Sequence, residues 1–214
     1  MPRRAVILGL ASILLSNVAD AASPWRQEMI WRLRVDDRLT HLLALCPADV
    51  AGSRAARGTA VGTMATVDCQ RDPVACHQRC EARDGEACLN LARAIEAEEP
   101  RLSPNFWKPL YTAACELGQA SGCTNRAAAL RNLEGPDPLD HVAEPAAHCE
   151  FRSFQYACAH DDAWGCTMLE QALLNGEGIA ASPGEAHAMF AKACAIDLDF
   201  EACEFARKME APMQ

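Results

Sequence analysis

The sequence is organised by a recurrent pair of cysteines with seven residues between them. Three copies are present, and a looser fourth copy has eight residues between its cysteines. The first cysteines of consecutive pairs are 35, 43 and 36 residues apart. A period in this range is typical of stacked helical hairpins, so the chain is predicted to be an all-α repeat protein. The pairs are Cys80 and Cys88, Cys115 and Cys123, Cys158 and Cys166, and the looser Cys194 and Cys203.

Residues 1–22 have the composition of a secretory signal peptide. Arg3 and Arg4 precede an apolar run over residues 5–15, and Ala-Asp-Ala at 19–21 supplies a small-x-small cleavage site. The apolar run is too short for a membrane-spanning helix. We therefore expect an exported protein, periplasmic or secreted, that makes no stable membrane insertion after cleavage.

The cysteine count and the net charge narrow the class of protein further. All twelve cysteines follow the predicted cleavage site. An even number of cysteines in an exported chain indicates a disulfide framework, because that compartment is oxidising. The net charge is −9 at pH 7, and the sequence has no cluster of basic residues. This charge argues against nucleic acids and anionic membrane surfaces as partners.

The cysteine pairs also align the residues around them. Tyr111, Phe154 and Phe190 each lie four residues before the first cysteine of a pair, at a helix position that faces the core. Small residues stand immediately before the second cysteine, as at Gly122 and Gly165. Two helix faces that interlock require large residues at one position of the repeat and small residues at another.

Each repeat is predicted to contain two helices, A and B, and the repeats fill the second part of the chain. Residues 23–68 are predicted to be a helical N-terminal region with one helix to about Leu45 and a weaker one in 48–67. Residues 69–214 are predicted to hold about three repeats and a C-terminal capping helix. The A helices are expected at about 88–97, 123–132 and 166–175, and the B helices at about 106–116, 149–159 and 184–195.

The connection between the last A and B helices carries the clearest local signals. Gly176 is predicted to end the A helix in a left-handed conformation. Ser182 and Glu185 are predicted to start the B helix as a capping box, with Pro183 at its first turn. The preceding connection, at 134–148, is longer and holds three prolines, so it is predicted to be a loop.

Three of these features resemble a known family. They are Gly-Glu-Gly-Ile at 176–179, an aromatic residue four positions before Ala-Cys, and Ala-Cys-Glu-Leu-Gly-x-x-x-Gly-Cys at 114–123. Together they resemble Sel1-like repeats, and most closely the cysteine-rich secreted branch of that tetratricopeptide-like family. The resemblance implies an α-solenoid of antiparallel helix hairpins in a right-handed superhelix, with one disulfide in each repeat. The sequence departs from the family pattern at Pro109 and in the 134–148 insertion.

The resemblance also implies how the cysteines pair. In a stacked array, each disulfide would join the B helix of one repeat to the A helix of the next. Cys69 and Cys76 could form a shortened version of this disulfide. Cys46 and Cys149 could pair with each other, remain reduced or bridge to another molecule. The implied pairs are Cys80–Cys88, Cys115–Cys123, Cys158–Cys166, Cys194–Cys203 and Cys69–Cys76.

The sequence contains no motif for catalysis, metal binding or redox chemistry. No two cysteines are separated by only two residues, and Cys76-His77-Gln78-Arg79-Cys80 is the nearest approach to a metal cluster. G-x-S-x-G, S-x-x-K and H-E-x-x-H are also missing from the sequence. We therefore predict a protein that is not an enzyme and that has no cofactor or metal. The alternatives are a cell-wall or β-lactam-directed hydrolase, a label that some proteins of the cysteine-rich branch carry, and a thiol-redox client or relay.

Binding is the function that such an architecture favours. Arrays of helical hairpins present a concave face, formed largely by A helices, on which peptides or partner proteins dock. We therefore predict a protein- or peptide-binding module or adaptor, of which an inhibitor or immunity-type protein is one version. The residues predicted to contact the partner are Asn90, Arg93, Asn125, Arg126, Met168, Gln171, Trp107 and Trp164.

Overall fold

A computed structural model gives the fold of this chain for most of its length. The predicted signal peptide, residues 52–67 of the predicted weaker helix, and the predicted capping helix except Cys203 lie outside the described residues. None of the described helices is long and apolar enough to cross a membrane. The structure describes residues 24–51, 68–98, 103–132, 137–141, 146–197 and Cys203.

In the described part of the chain, seven α-helices follow one another from Pro73 to Ile196, and each packs on the next. This succession confirms the predicted all-α solenoid of antiparallel hairpins. Helices α4, α6, α8 and α10 are B helices, whereas α5, α7 and α9 are A helices. Their bounds are α4 Pro73–Glu81, α5 Gly85–Glu96, α6 Pro104–Glu116, α7 Ala120–Arg131, α8 Ala146–Ala159, α9 Ala163–Asn175 and α10 Pro183–Ile196.

The A helices begin three residues earlier than the sequence predicted, and in α5 and α9 an aspartate in the preceding turn caps the new start. In α7 the residue before the helix, Gln119, makes no side-chain capping bond. The Asp84 side chain accepts a hydrogen bond from the backbone N–H of Ala87 at 3.1 Å. The Asp162 side chain accepts one from Gly165 at 2.6 Å. A side-chain oxygen in this position satisfies one of the N–H groups that lack a partner at a helix start. Both cysteines of each pair therefore lie inside helices, and the turn between the helices is only three residues long.

These three-residue turns share one backbone geometry. The middle residue is in the left-handed region in each, with φ of 71° at Arg83, 87° at Gly118 and 60° at Asp161. For a residue other than glycine this region costs about 1–2 kcal/mol, so packing on either side must hold the turn. The geometry reverses the chain within three residues and makes consecutive helices antiparallel.

The interlocking of large and small residues follows the predicted pattern. A Cβ atom on Gly122 would lie 2.7 Å from the carbonyl oxygen of Tyr111, and one on Gly165 would lie 2.7 Å from the Cβ of Ala157. Tyr111 is fully buried, because the glycine lets the two helices approach closely. Phe190, in the last described helix, is only partly buried.

The connection between α9 and α10 confirms one predicted signal and corrects another. Gly176 ends α9 with φ of 74°, as predicted. Ser182 makes no side-chain capping bond, so the predicted capping box is wrong; α10 starts at Pro183, whose fixed φ suits the first helical turn. Gly178 also has a positive φ, and a Cβ there would lie 2.1 Å from the carbonyl oxygen of Ala147. The second glycine is therefore needed for contact with the start of α8.

The structure joins all twelve cysteines in disulfides, and none is free. Five pairs link residues seven to nine positions apart, and the sixth links residues 103 positions apart. We call the three pairs that cross the three-residue turns the turn disulfides. These are Cys80–Cys88, Cys115–Cys123 and Cys158–Cys166; the other pairs are Cys69–Cys76, Cys194–Cys203 and Cys46–Cys149.

The predicted single helix from residue 24 to about residue 45 is wrong, because the chain breaks at Asp36. Helix α1 spans Pro24–Val35, α2 spans Asp37–Leu43, and α3 spans Pro47–Val50. Asp36 is extended, and its Oδ1 accepts a hydrogen bond from the backbone N–H of Leu39 at 3.0 Å. Asp36 therefore caps a new helix instead of continuing the first one.

The N-terminal region, residues 24–51, lies mainly against the B helices. Helices α2 and α3 pack on α6, and α3 also packs on α8 and on the A helix α7. The Cys46–Cys149 disulfide connects the residue before α3 to α8. Arg38 pairs with Glu116, at the end of α6, at 2.8 Å. The structure thus selects pairing at a distance among the three alternatives left open for Cys46 and Cys149.

Candidate partner-binding surface

Except for Arg126, the predicted contact residues of the A helices fall into one aligned set. Positions two, six and nine of an α-helix lie three to four residues apart, so their side chains share one face. We call this face of the three A helices the A-helix row. Its members are Glu86, Asn90 and Arg93 on α5, Ser121, Asn125 and Ala128 on α7, and Trp164, Met168 and Gln171 on α9.

Four of the predicted contact residues have accessible surface in this row. Trp164 is 44% exposed, which is unusual for so large an apolar side chain. Arg93, Asn125 and Gln171 are partly buried. The Asn125 side chain donates a hydrogen bond to the backbone oxygen of Ser121 at 2.6 Å. These residues combine an aromatic anchor with polar groups, a composition that protein interfaces favour.

The other four predicted contact residues are buried, and the structure corrects their assignment. Asn90 and Met168 are 4% and 5% exposed, and Trp107 and Arg126 are inaccessible. Trp107 stacks edge-on against Tyr111, with ring centroids 5.8 Å apart. It belongs to the same apolar core as side chains of α1 and α2. Burial to this extent leaves the four side chains little or no surface to offer a partner while the array is folded.

Arg126 is buried because it belongs to a charged cluster inside the protein. Its Nη2 lies 2.7 Å from Oδ1 of Asp137 and 3.1 Å from the carbonyl oxygen of Leu43. The Nζ of Lys108 lies 2.9 Å from Oδ2 of the same carboxylate. Burial acts to raise the pKa of Asp137, but Arg126 and Lys108 outweigh it and leave the pKa below its ordinary value. Arg126 therefore joins α7 to the loop before α8 and to the N-terminal region.

Sequence reasoning did not find Arg131, which connects the A-helix row across two repeats. Its Nη1 donates to Oε1 of Gln171 at 2.9 Å, and its Nη2 pairs with Glu177 at 2.8 Å. Arg131 is in the last turn of α7, where a basic residue also interacts favourably with the helix dipole. The sequence signal that could have revealed this link is a basic residue at the end of one A helix and a polar residue of the A-helix row in the next repeat.

Asp162 makes a second polar link between α7 and α9. Besides capping α9, its Oδ1 accepts a hydrogen bond from the Thr124 hydroxyl at 2.9 Å, and its Oδ2 accepts one from the Ser121 hydroxyl. Asp162 is 6% exposed, and its partners include a backbone N–H and two hydroxyls. A buried carboxylate with several donors holds its neighbours in fixed positions. The row residues of α7 and α9 are therefore presented by a rigid pair of helices.

The antiparallel helix hairpins and the five local disulfides match what the resemblance to Sel1-like repeats implied. The chain is an α-solenoid of antiparallel helix hairpins with a disulfide across each three-residue turn. Among solved structures, it is similar to Helicobacter pylori cysteine rich protein B, with 20% sequence identity and a TM-score of 0.47. That similarity covers 69% of this chain and 98% of the Helicobacter protein. No protein-family model and no curated protein matches the chain.

The disulfides also indicate the compartment. Structural disulfides form and persist in oxidising surroundings and are rare in the cytosol of most organisms. Six of them in a chain of 214 residues indicate an oxidising, exported location.

Proposed function

We propose that this chain is a periplasmic or secreted binding module that holds a protein or peptide on its A-helix row. The observation that carries the proposal is the exposed Trp164, 44% accessible, beside the partly buried Gln171 on the same face of α9. Tryptophan and arginine are enriched among the residues that dominate binding energy. Arg131, bonded to Gln171, extends this surface onto α7.

The placement of the N-terminal region supports the choice of this face. Helices α2 and α3 pack on the B helices, and the Cys46–Cys149 disulfide fixes them there. The B side of the array is therefore occupied by the chain itself. Among the described residues, the A-helix row carries the exposed tryptophan of the array, so we assign the partner to that side.

The charge of the chain indicates which partners it favours. A net charge of −9 favours partners with basic surfaces and speeds their association. An adaptor, or an inhibitor or immunity-type protein for a secreted basic toxin, would use such complementarity. Nucleic acids and anionic membranes are disfavoured for the same reason.

The two alternative functions gain no support from the structure. A thiol-redox relay needs an accessible thiol, but all twelve cysteines are disulfide-bonded. A cell-wall or β-lactam-directed hydrolase needs a nucleophile activated by a neighbouring base. No observation in the described residues favours that activity.

Immobilised protein, incubated with the envelope fraction of the source cells, tests the proposal through two matched variants. Trp164→Ala removes the anchor of the row. Trp31→Ala removes a tryptophan that is 62% exposed on α1, outside the row. We expect Trp164→Ala to weaken retention of the captured protein by about tenfold or more, as expected for an interface anchor, and Trp31→Ala to leave it unchanged. Retention of no protein, or equal retention by Trp164→Ala, would contradict the proposal.

A further inference from the structure

Three potential metal ligands meet where the N-terminal region contacts the first helix of the array. Asp36 lies between α1 and α2, and His77 and Glu81 lie one turn apart on α4. The Nε2 of His77 is 3.7 Å from Oδ2 of Asp36, and its Nδ1 is 3.4 Å from Oε2 of Glu81. One ligand atom from each residue lies within 4.8 Å of the other two. Sequence reasoning predicted no metal, because residue 36 is distant from residue 77 along the chain.

The His77 side chain is buried with its hydrogen-bonding capacity unused. It is 2% exposed, and neither ring nitrogen has a hydrogen-bond partner. Buried polar groups in folded proteins nearly always have a partner, so an unpartnered imidazole between two carboxylates requires an explanation. The distances of 3.4 and 3.7 Å are too long for good hydrogen bonds.

One ion can bond to only one of the two imidazole nitrogens, so the relevant fact is that one ligand atom from each of the three residues lies within 4.8 Å of the other two. Zinc binds nitrogen and oxygen ligands at about 2.0–2.2 Å, so two ligand atoms in a tetrahedral site are about 3.4 Å apart. His77 and Glu81 are four residues apart on one helix, which places their side chains on the same face. The Oδ1 of Asp36 caps α2, and this leaves its Oδ2 directed at His77.

The electrostatics also suit a cation. The carboxylates of Asp36 and Glu81 lie on either side of the buried imidazole and supply negative charge for a cation. Arg32 is paired with Glu28 at 2.8 Å. The Glu81 side chain is 51% exposed and provides a route from solvent.

We propose that Asp36, His77 and Glu81 bind one divalent transition-metal ion, with zinc the best fit and solvent completing the coordination. Imidazole with carboxylates suits zinc, whereas calcium and magnesium prefer oxygen ligands alone. The ion connects the junction of α1 and α2 to α4. It therefore fixes the N-terminal region to the array at a second point, far along the chain from the Cys46–Cys149 disulfide.

Calorimetric titration of the oxidised, tag-free protein with zinc tests this site. We expect one ion per chain and weaker binding of calcium. Asp36→Asn keeps a side chain able to cap α2 but removes an anionic ligand, and Glu81→Gln changes a half-exposed side chain. Each should weaken zinc binding by at least about tenfold, because loss of even an outer-shell group typically costs about 10–100-fold. Glu86→Gln, an exposed carboxylate on α5, serves as the control and should leave the affinity unchanged.

Cobalt provides a second readout of metal binding. It requires no substitution of His77, whose buried side chain also contributes to packing. Cobalt bound at a four-coordinate site should give visible absorption that zinc displaces stoichiometrically and that Glu81→Gln abolishes. Failure of zinc to bind at one ion per chain, or equal affinity in wild type, Asp36→Asn and Glu81→Gln, would overturn the proposal.

Discussion

The helices of the N-terminal region and those of the repeat array are held together in different ways. In the array, three-residue turns connect consecutive helices, and the turn disulfides join cysteines eight residues apart. In the N-terminal region, short helices break at Asp36 and are held by a disulfide between residues 103 positions apart. The array is therefore specified by local sequence, whereas the N-terminal region depends on contacts distant in sequence.

The difference has an energetic consequence. On the chain-entropy model, a disulfide stabilises the fold by restricting the unfolded chain, and the effect grows with the length of the closed loop. A turn disulfide should contribute about 2.5 kcal/mol and a loop of about 100 residues about 4.7 kcal/mol. The single long-range disulfide should therefore contribute more to stability than any turn disulfide does.

The largest expected effect comes from removing that long-range disulfide. We expect Cys46→Ala with Cys149→Ala to lower the free energy of unfolding by about 2 kcal/mol more than Cys115→Ala with Cys123→Ala, because the longer loop restricts the unfolded chain more. All four cysteines are at least 95% buried, so the cavities left behind are comparable. Urea denaturation of the two double variants measures the difference. Equal losses of unfolding free energy in the two double variants, or a larger loss on removing the turn disulfide, would contradict the expected difference between the two regions.

A smaller effect is expected where the array depends on close approach of helices. A Cβ on Gly165 would lie 2.7 Å from Ala157 and 2.8 Å from the Thr124 hydroxyl, whereas nothing lies within 4 Å of one on Gly184. We expect Gly165→Ala to cost about 1–3 kcal/mol through overpacking. Gly184→Ala, the matched control in the first turn of α10, should be neutral or stabilise by up to about 1 kcal/mol.

Thermal unfolding of both glycine variants measures this contrast. A neutral Gly165→Ala would show that the helices can separate without loss, so that the turn disulfide and not packing holds the repeat together. A destabilising Gly184→Ala would show that the outer side of α10 is covered.

The sequence could predict the parts of the fold that repeat. Cysteine spacing predicted the hairpins, and the small residues before the second cysteine predicted the close approach at Gly122 and Gly165. These signals are local, so a periodic sequence displays them without knowledge of the rest of the chain. The helix starts were three residues late because the caps at Asp84 and Asp162 were not used as signals.

Two of the failures share one physical cause, which is that the N-terminal region covers part of the array. Trp107 was predicted to contact a partner, but it packs in a core that includes Met29 and Leu33 of α1. Arg126 was assigned to the surface, but it bonds to Leu43 and Asp137. Helical phase shows which face a residue occupies, but it does not show which distant segment covers that face.

Two kinds of disulfide hold this protein: local ones in the array, and one long-range disulfide to the N-terminal region. Peptide mapping of the non-reduced protein by mass spectrometry tests this arrangement most directly. We predict Cys46 linked to Cys149, the three turn disulfides as described, and no free thiol. Cys46 or Cys149 found reduced, or linked to a cysteine of the array turns, would contradict it.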